Sequence, residues 1–286
     1  MILTRLLSLL LAAVLLAAAS AAGAHDPGFR VMSYNIRVDV PTDDPTWAER
    51  RPHMVDQIAF LDPDILGVQE AHSAMVGWLA ERLPGYDRYG LGRDDGGPVG
   101  ETTTLFWKSD RYERISADTF WCSPTPDRPS KGWDAAYPRT VTRVVLRDRR
   151  DGQLLDVRNT HFDHVGEQAR EQCALLISRL TPAEVGGEAA RVVLMGDFNT
   201  GPGTPPYNRI IASGLRDARE LSPVDFGPAG TFNAFDVASD NDGVAIDHIF
   251  VGPGLHVERT GVLTDSFGGR VISDHFPVVA DLTSGF

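Results

Sequence analysis

The sequence is poor in two residue types that often decide the class of a protein. It contains two cysteines in 286 residues, and only Lys108 and Lys131 among its 27 basic residues are lysine. Two cysteines are too few for a disulfide framework. An exported chain permits a disulfide between Cys122 and Cys173, but the sequence leaves open whether they pair.

Positive charge is also scarce overall, because the formal net charge is −12. An acidic chain has no general attraction to polyanions, and duplex DNA binding depends on neutralising many phosphates at once. We therefore expect no strong duplex-DNA surface. The 25 arginines are compatible with phosphate recognition, since a guanidinium binds phosphate with two parallel hydrogen bonds, although genome composition would produce the same bias.

Long apolar runs and internal repeats are absent after residue 24. Before it, Arg5 is followed by the apolar run LLSLLLAAVLLAAA, and Ala22-Gly23-Ala24 precedes His25. This pattern predicts a secretory signal peptide over residues 1–24, because the run is short for a membrane span. We expect residues 25–286 to form one exported domain without a transmembrane segment, monomeric, in the periplasm or outside the cell.

The hydrophobic pattern predicts alternating strands and helices in both halves of the domain. Residues 29–37 and 64–70 are strand-like, while apolar spacing predicts helices over 47–61 and 72–83. A Gly-rich loop at 88–100, strands joined by hairpin signals and a long loop at 123–139 follow. The second half of the chain has two predicted helices, at 166–180 and 207–213. It also has strand-like segments at 192–196, 245–251, 256–263 and 278–282. This order favours a two-layered sheet core with helices outside.

One stretch places two polar side chains directly after a predicted strand. Residues 192–207 read VVLMGDFNTGPGTPPY, in which a buried strand ends at Gly196 and is followed by Asp197 and Asn199. Side chains two residues apart leave a strand on the same face, and ligand sites of layered α/β proteins lie at such strand ends. The alternative is that the Asp197 side chain only stabilises the turn that ends the strand, as an Asx turn does.

Other predicted strands also end on polar residues. The set is Asn35, Glu70, His161, Asp197, Asn199, Asp247, Asp274 and His275. These are oxygen and imidazole donors without a thiol, which suits Mg²⁺, Mn²⁺ or Ca²⁺ better than structural zinc. An aspartate next to a histidine suits proton transfer, and Asp247 with His275 could form such a pair.

Six motifs in order, SYNIR, VQE, NTHFDH, GDFNTGP, IDHIF and SDHFPV, resemble the endonuclease/exonuclease/phosphatase superfamily of metal-dependent phosphoesterases, the DNase I-like proteins. The similarity runs from about residue 29 to 282. It implies an α/β fold, a four-layer α-β-β-α sandwich of two mixed sheets flanked by helices. It also implies a hydrolase that uses Mg²⁺, with Mn²⁺ or Ca²⁺ as alternatives.

The resemblance also assigns roles to individual positions. It implies that Asn35, Glu70 and Asp274 hold the metal and that His161 hydrogen-bonds the phosphate or the leaving oxygen. Asp197 and Asn199 match the pair that orients the nucleophile and the phosphate, Asp247 orients His275, and His275 transfers a proton. Whether Asp197 or His275 is the base stays open.

The substrate is the least determined property. Arg93 and Arg139 lie in loops that could reach a pocket, which makes them candidate substrate-binding residues, whereas we expect His164 to be a surface or supporting residue. We expect a small or lipid-derived phosphoester, with a nuclease acting on DNA or RNA and an inactive binding protein of the same fold as alternatives. A zinc hydrolase of the metallo-β-lactamase kind is disfavoured, because Asn159 stands where its first histidine would be.

Overall fold

The computed structural model describes residues 28–284, so the predicted signal peptide lies outside the described residues. Within that range the helices are α1 (Trp47–Leu61), α2 (Ser73–Arg82), α3 (Glu167–Arg179), α4 (Pro205–Ala212) and α5 (Ala218–Leu221). The strands of the first sheet are β1 (Phe29–Asn35), β2 (Ile65–Gln69), β3 (Tyr86–Tyr89), β4 (Leu105–Lys108), β10 (Asp225–Phe226), β12 (Leu255–Val262) and β13 (Val278–Ser284). Those of the second are β5 (Tyr112–Trp121), β6 (Thr140–Asp148), β7 (Leu154–His161), β8 (Arg191–Asp197), β9 (Arg216–Asp217) and β11 (Asp247–Val251).

Both sheets are mixed and have a parallel pair at the centre. The first has the order β10-β12-β13-β1-β2-β4-β3, and the second β9-β11-β8-β7-β6-β5. Strands β1 and β2 run parallel, as do β7 and β8, whereas β13 and β11 pair antiparallel to β1 and β8. Because the carboxyl ends of parallel strands lie at the same edge, residues that follow these strands are brought together.

Three apolar layers hold the sandwich together. Between the sheets, Val31 and Ile65 of the first pack in one cluster with Val193 and Ile249 of the second. On the outer face of the first sheet, Met32 packs in one cluster with residues of α1 and α2. The other sheet buries Leu194 against α3 and α4. Neighbouring residues thus enter different layers, as the period of two requires, and the predicted four-layer α-β-β-α sandwich is confirmed.

The predicted elements exist, with boundaries that shift by a few residues. The main difference is β3, an edge strand at Tyr86–Tyr89 that overlaps the start of the predicted Gly-rich loop, where the sequence indicated no strand. Its side chains are exposed or half-buried, so the strand carries little hydrophobic signal and is held by backbone pairing to β4. None of the described helices is long and apolar enough to cross a membrane.

Candidate active site

All ten predicted site residues lie in one place. Eight of them line a single cavity of about 360 Å³, namely Glu70, Arg93, Arg139, His161, Asp197, Asn199, Asp274 and His275. The other two lie directly behind it. Asn35 Nδ2 donates to Glu70 Oε1 and to Asp197 Oδ2, both at 3.0 Å, and Asp247 Oδ2 accepts from His275 Nδ1 at 2.9 Å.

The strand register explains this convergence. Asp197 at the end of β8 is the Cα partner of His161 in the parallel strand β7 and of Asp247 in the antiparallel strand β11. The three residues therefore stand in one row across the second sheet. The backbone turns left-handed at Glu70 (φ 62°), the residue after β2, and at Asn199 (φ 48°), two residues after the end of β8. Such conformations are uncommon outside glycine and cluster at functional sites.

His275 is held by a buried hydrogen-bond chain. Its Nδ1 donates to Asp247 Oδ2, which also accepts from Thr231 Oγ1 at 2.6 Å. His275 Nε2 lies 3.8 Å from Asp197 Oδ2. Burial would lower the pKa of His275, but the charges of Asp247 and Asp197 outweigh it and raise that pKa well above its ordinary value. Asp247 thus fixes the ring orientation and stabilises the charged imidazolium.

Asp197 is the buried carboxylate at the centre of the site. Its Oδ1 accepts from the backbone N–H of Asn199 at 2.9 Å, and its Oδ2 lies 3.4 Å from His161 Nε2. Burial and the negative charge of Asp247 raise the pKa of Asp197, against the opposite effect of His275. Asp197 and His275 are close enough to titrate as a pair, so a proton can be held by either.

Arg139 connects His161 to the neighbouring loop. Its Nη1 lies 2.9 Å from His161 Nδ1, its Nη2 lies 3.1 Å from His164 Nδ1, and its Nε donates to Asp163 Oδ2 at 3.3 Å. A guanidinium can only donate, so both Nδ1 atoms are acceptors and the proton of neutral His161 is on Nε2. Burial and the charges of Arg139 and Arg93 lower the pKa of His161 well below its usual value. His161 is therefore a neutral donor with Nε2–H directed toward Asp197.

Glu70 and Asp274 supply two carboxylates to the same cavity. Glu70 Oε2 accepts from the backbone of Val38 at 3.0 Å, and Asp274 Oδ2 lies 3.6 Å from Arg37 Nη1. Burial and the charge of Glu70 raise the pKa of Asp274, so the two acids repel each other without a cation. The two carboxylates are oxygen ligands of the type that Mg²⁺ prefers, and they fit this ion. Asn35 presents its Nδ2 to Glu70, while its Oδ1 accepts from the backbone N–H of Arg37 at 3.0 Å, so Asn35 holds Glu70 in position.

A second group could also hold a divalent ion. One ligand atom from each of Asp197, Asp247 and His275 lies within 4.8 Å of the others. In the structure His275 Nδ1 and Asp247 Oδ2 are already hydrogen-bonded to each other. Asp247 Oδ1 is a buried atom without a hydrogen-bond partner among the described residues. The site thus offers two arrangements of acidic side chains, and they make different predictions for metal binding.

Arginine and aromatic side chains also line the cavity. Arg93 Nη1 donates to Glu101 Oε2 at 2.8 Å, and its guanidinium lies 4.7 Å from the centre of the Tyr137 ring. Arg37 makes a bidentate pair with Asp43, at 2.9 and 3.2 Å. Arg93, Arg139 and Arg37 thus line the cavity with their charges already paired to acids.

The loop at residues 122–139 supplies Tyr137 and Arg139 to the cavity and is fixed at both ends. A disulfide links Cys122 to Cys173 of α3, which answers the question that the sequence left open. The backbone N–H of Cys122 donates to Arg139 O at 2.7 Å and closes the base of the loop. Near its end, the backbones of Ala136 and Tyr137 donate to the carboxylate of Asp163.

Six further residues line the cavity that the sequence did not place there: Arg37, Val38, Glu101, Tyr137, His164 and Phe232. Arg37 ends the SYNIR motif, so its position gave a usable signal. His164 belongs to NTHFDH and was expected at the surface; it is exposed, but it also faces the cavity. Tyr137 and Phe232 lie in irregular segments without periodicity, and Glu101 begins a strand of only two residues, Glu101–Thr102, so only the folded chain shows where these residues are.

The chain is similar to one protein family and to several solved structures. The model of the endonuclease/exonuclease/phosphatase family matches residues 32–275. The structure of mannosyl-6-phosphatase from Bacteroides thetaiotaomicron is 36% identical with a TM-score of 0.83, covering 89% of this chain and 99% of that one. An endonuclease/exonuclease/phosphatase family protein from the same organism is 35% identical with a TM-score of 0.86, covering 92% and 100%.

A curated protein is also similar over part of the chain. An uncharacterized protein of Acanthamoeba polyphaga mimivirus is 27% identical over 164 residues, which cover 54% of this chain and 59% of that protein's length. The family model alone spans most of the sequence, and its range includes all ten predicted site residues. The chain therefore belongs to the endonuclease/exonuclease/phosphatase family.

Proposed function

We propose that this protein is an exported, magnesium-dependent phosphatase that hydrolyses small phosphoesters, with sugar phosphates as its substrate class. The observation that carries the proposal is the composition of one cavity. It combines the proton-transfer pair Asp197 and His275, the neutral donor His161, and the carboxylates Glu70 and Asp274. These side chains could bind the attacking water, the phosphate group and a divalent cation together.

The sugar phosphate as substrate class is supported by similarity. The mannosyl-6-phosphatase shares 36% of its residues with this chain over nearly its whole length. Its name describes that protein's activity, and we extend it here to the chemical class of a hexose phosphate. The cavity of about 360 Å³ is in the size range of small-molecule sites.

In the mechanism that we propose, a water molecule attacks phosphorus opposite the leaving oxygen. The pair Asp197 and His275 takes the proton of that water, and Asp247 with Thr231 keeps the imidazole in position. The new bond joins the water oxygen to phosphorus, the bond from phosphorus to the sugar oxygen breaks, and the sugar oxygen takes up a proton from solvent and leaves as a hydroxyl group. Such positioning with charge stabilisation is the main source of catalysis in phosphoryl transfer.

His161 and Asn199 act on the oxygens of the phosphate. Arg139 holds the proton of His161 on Nε2, so this atom donates a hydrogen bond to a phosphoryl or leaving oxygen. The Asn199 side chain is fixed by its Nδ2, which donates to Phe162 O at 3.0 Å. Glu70 and Asp274 would hold Mg²⁺, with Asn35 keeping Glu70 in position, and the ion would supply the positive charge that stabilises the developing negative charge.

A compact substrate fits the charge distribution better than duplex DNA does. The three arginines of the cavity are paired with Asp43, Glu101 and Asp163, so they present little surplus positive charge to a long polyanion. Affinity for duplex DNA grows with the number of neutralised phosphates. One phosphate group needs only the local donors and the cation.

Export is supported by two independent features. Residues 1–24 have the pattern of a secretory signal peptide, and the Cys122–Cys173 disulfide suits an oxidising compartment. N-terminal sequencing of the protein from an extracytoplasmic fraction should give His25 or a neighbouring residue first. Finding Met1 on that protein would contradict the proposal.

The phosphatase proposal is tested by phosphate release from a hexose 6-phosphate such as mannose 6-phosphate. We expect turnover with Mg²⁺, loss of turnover with EDTA, and recovery when Mg²⁺ is restored in excess. Release that EDTA leaves unchanged would contradict metal dependence, and no release from any phosphomonoester would contradict the phosphatase assignment.

A further inference from the structure

We propose that Tyr137 forms a leaving-group subsite, in which its ring receives the apolar face of a sugar. This inference rests on the proposed function, because it specifies which part of a sugar phosphate the rim of the cavity contacts. Tyr137 lines the cavity while 50% of its surface stays exposed. A large half-exposed aromatic ring at a polar site is available for a ligand.

A chain of contacts relates Tyr137 to the reacting centre. From Asp197 the contacts run to His161 at 3.4 Å, from His161 to Arg139 at 2.9 Å, and from Arg139 to His164 at 3.1 Å. The His164 ring is stacked on Tyr137 with 6.0 Å between the ring centres. Tyr137 therefore lies on the His161 side of the cavity, beyond the donors that face the phosphate.

The chemistry of the ring determines which part of the substrate it can contact. The face of an aromatic ring is electronegative, so the part of the Tyr137 ring that the Arg93 guanidinium leaves uncovered attracts C–H groups, which carry small positive charges. One side of a pyranose presents several such groups together. Where His161 Nε2–H donates to the leaving oxygen, the sugar attached to that oxygen extends toward Tyr137.

The ring is held in place before any ligand binds. The backbone N–H groups of Ala136 and Tyr137 donate to Asp163 at 3.1 and 3.3 Å. Arg139 also donates to Asp163, and the Arg93 guanidinium lies 4.7 Å from the centre of the Tyr137 ring. The Cys122–Cys173 disulfide fixes the other end of the loop. A preorganised wall loses little conformational entropy when it binds.

The test compares two ligands that share a phosphate and differ in the leaving group. Hexose 6-phosphate carries a ring and glycerol 3-phosphate does not. Their dissociation constants are measured by calorimetry with Mg²⁺, and every protein also carries His275→Ala so that the ligands are not hydrolysed. The proteins are the wild type, Tyr137→Ala, Tyr137→Phe and Phe60→Ala, the last being a control at an aromatic residue that is 89% exposed and outside the cavity.

We expect Tyr137→Ala to weaken hexose 6-phosphate binding by about five- to tenfold, the effect of one aromatic contact. Glycerol 3-phosphate should bind all four proteins alike, and Tyr137→Phe and Phe60→Ala should behave as wild type. Equal weakening of both ligands by Tyr137→Ala, or no effect on the hexose phosphate, would overturn the subsite, as would a wild type that binds the two ligands equally well.

The test of the Tyr137 subsite can fail or succeed independently of the test of phosphatase activity. Phosphate release with Mg²⁺ is measured on the same ligands with His275 intact. Ring-selective binding that depends on Tyr137, without phosphate release, would support the subsite and refute the phosphatase. Release of phosphate without ring selectivity would support the phosphatase and refute the subsite.

Discussion

Arg139 Nη1 lies 2.9 Å from His161 Nδ1, and this contact determines which nitrogen of the histidine carries its proton. Because arginine offers no acceptor, neutral His161 must present Nε2–H on its other side, toward Asp197. Arg139 was a candidate substrate-binding residue in the sequence. In the structure its three nitrogens are engaged by Asp163, His161 and His164, so we assign it a positioning role.

Arg139→Lys should lower kcat by about ten- to hundredfold, the typical effect of removing a group that orients a functional ligand. Lysine keeps the charge but cannot contact three partners in one plane. Steady-state kinetics would give the change in kcat, and ¹⁵N NMR of the imidazoles should show that His161 loses its single tautomer. Arg143→Lys is the matched control, since Arg143 forms a bidentate pair with Asp156 outside the cavity.

A double-mutant cycle separates this role from a general effect on the fold. If Arg139 acts through His161, Arg139→Lys should cost little more in a His161→Gln background. The positioning role would be contradicted if the loss of kcat in the double variant, expressed as a free energy, equalled the sum of the losses in the two single variants. It would also be contradicted if the His161 tautomer were unchanged in Arg139→Lys.

The two groups of acidic residues predict different outcomes for metal binding. We expect Glu70→Gln and Asp274→Asn each to weaken Mn²⁺ binding by at least about tenfold, because a lost carboxylate removes both a ligand and a charge. Asp247→Asn should lower kcat and leave Mn²⁺ affinity nearly unchanged. Electron paramagnetic resonance of Mn²⁺ measures free ion directly, and Glu101→Gln is a control at another acid of the cavity. The reverse pattern would place the ion at Asp197, Asp247 and His275 instead.

Removal of the disulfide should affect stability more than catalysis. Cys122 and Cys173 are separated by 51 positions, and a bridge of this span typically contributes ~2–4 kcal/mol to the free energy of unfolding. Urea unfolding of Cys122→Ser with Cys173→Ser would measure the loss. The native wild type should resist a thiol reagent until it is reduced, and labelling without a reductant would show that the thiols are free.

Asp163 should make the stability of the loop depend on pH. Burial favours the neutral acid, but the backbone N–H groups of Gly166, Ala136 and Val165 and the charge of Arg139 outweigh it and lower the pKa of Asp163 to about 2. The ordinary pKa of an unfolded aspartate is about 3.9. The stabilisation is therefore complete above about pH 4 and is lost as the pH falls through the folded pKa.

Asp163→Asn should accordingly reduce the free energy of unfolding at pH 7, and its difference from wild type should narrow as the pH falls below about 4. Urea unfolding at several pH values would show this trend. Asp127→Asn, at an exposed position in the same loop, should match wild type throughout. A constant difference at every pH would show that the charge of Asp163 is not the cause.

The fold was predictable because its strands follow the hydrophobic period closely. Val31 and Met32, or Val193 and Leu194, alternate between apolar layers as a strand requires. The edge strand Tyr86–Tyr89 was missed because its stability comes from backbone pairing with β4, which leaves no side-chain pattern.

The site was predictable to the extent that its residues end strands. Asp197, His161 and Asp247 share one row because the sheet register aligns them, and each belongs to a recognisable motif. Tyr137 was not foreseen, because its position depends on the path of an irregular loop. That path is set by Asp163 and by the disulfide, which are contacts between distant parts of the chain.

The central claim is that this cavity hydrolyses small phosphoesters and not duplex DNA. The most direct test measures phosphate release from hexose 6-phosphate and nicking of plasmid DNA side by side, at physiological salt with Mg²⁺, with EDTA and His275→Ala as controls. The account predicts phosphate release that both controls abolish, with the plasmid left intact. Efficient nicking of the plasmid with the small phosphoester untouched would contradict it and identify the protein as a nuclease.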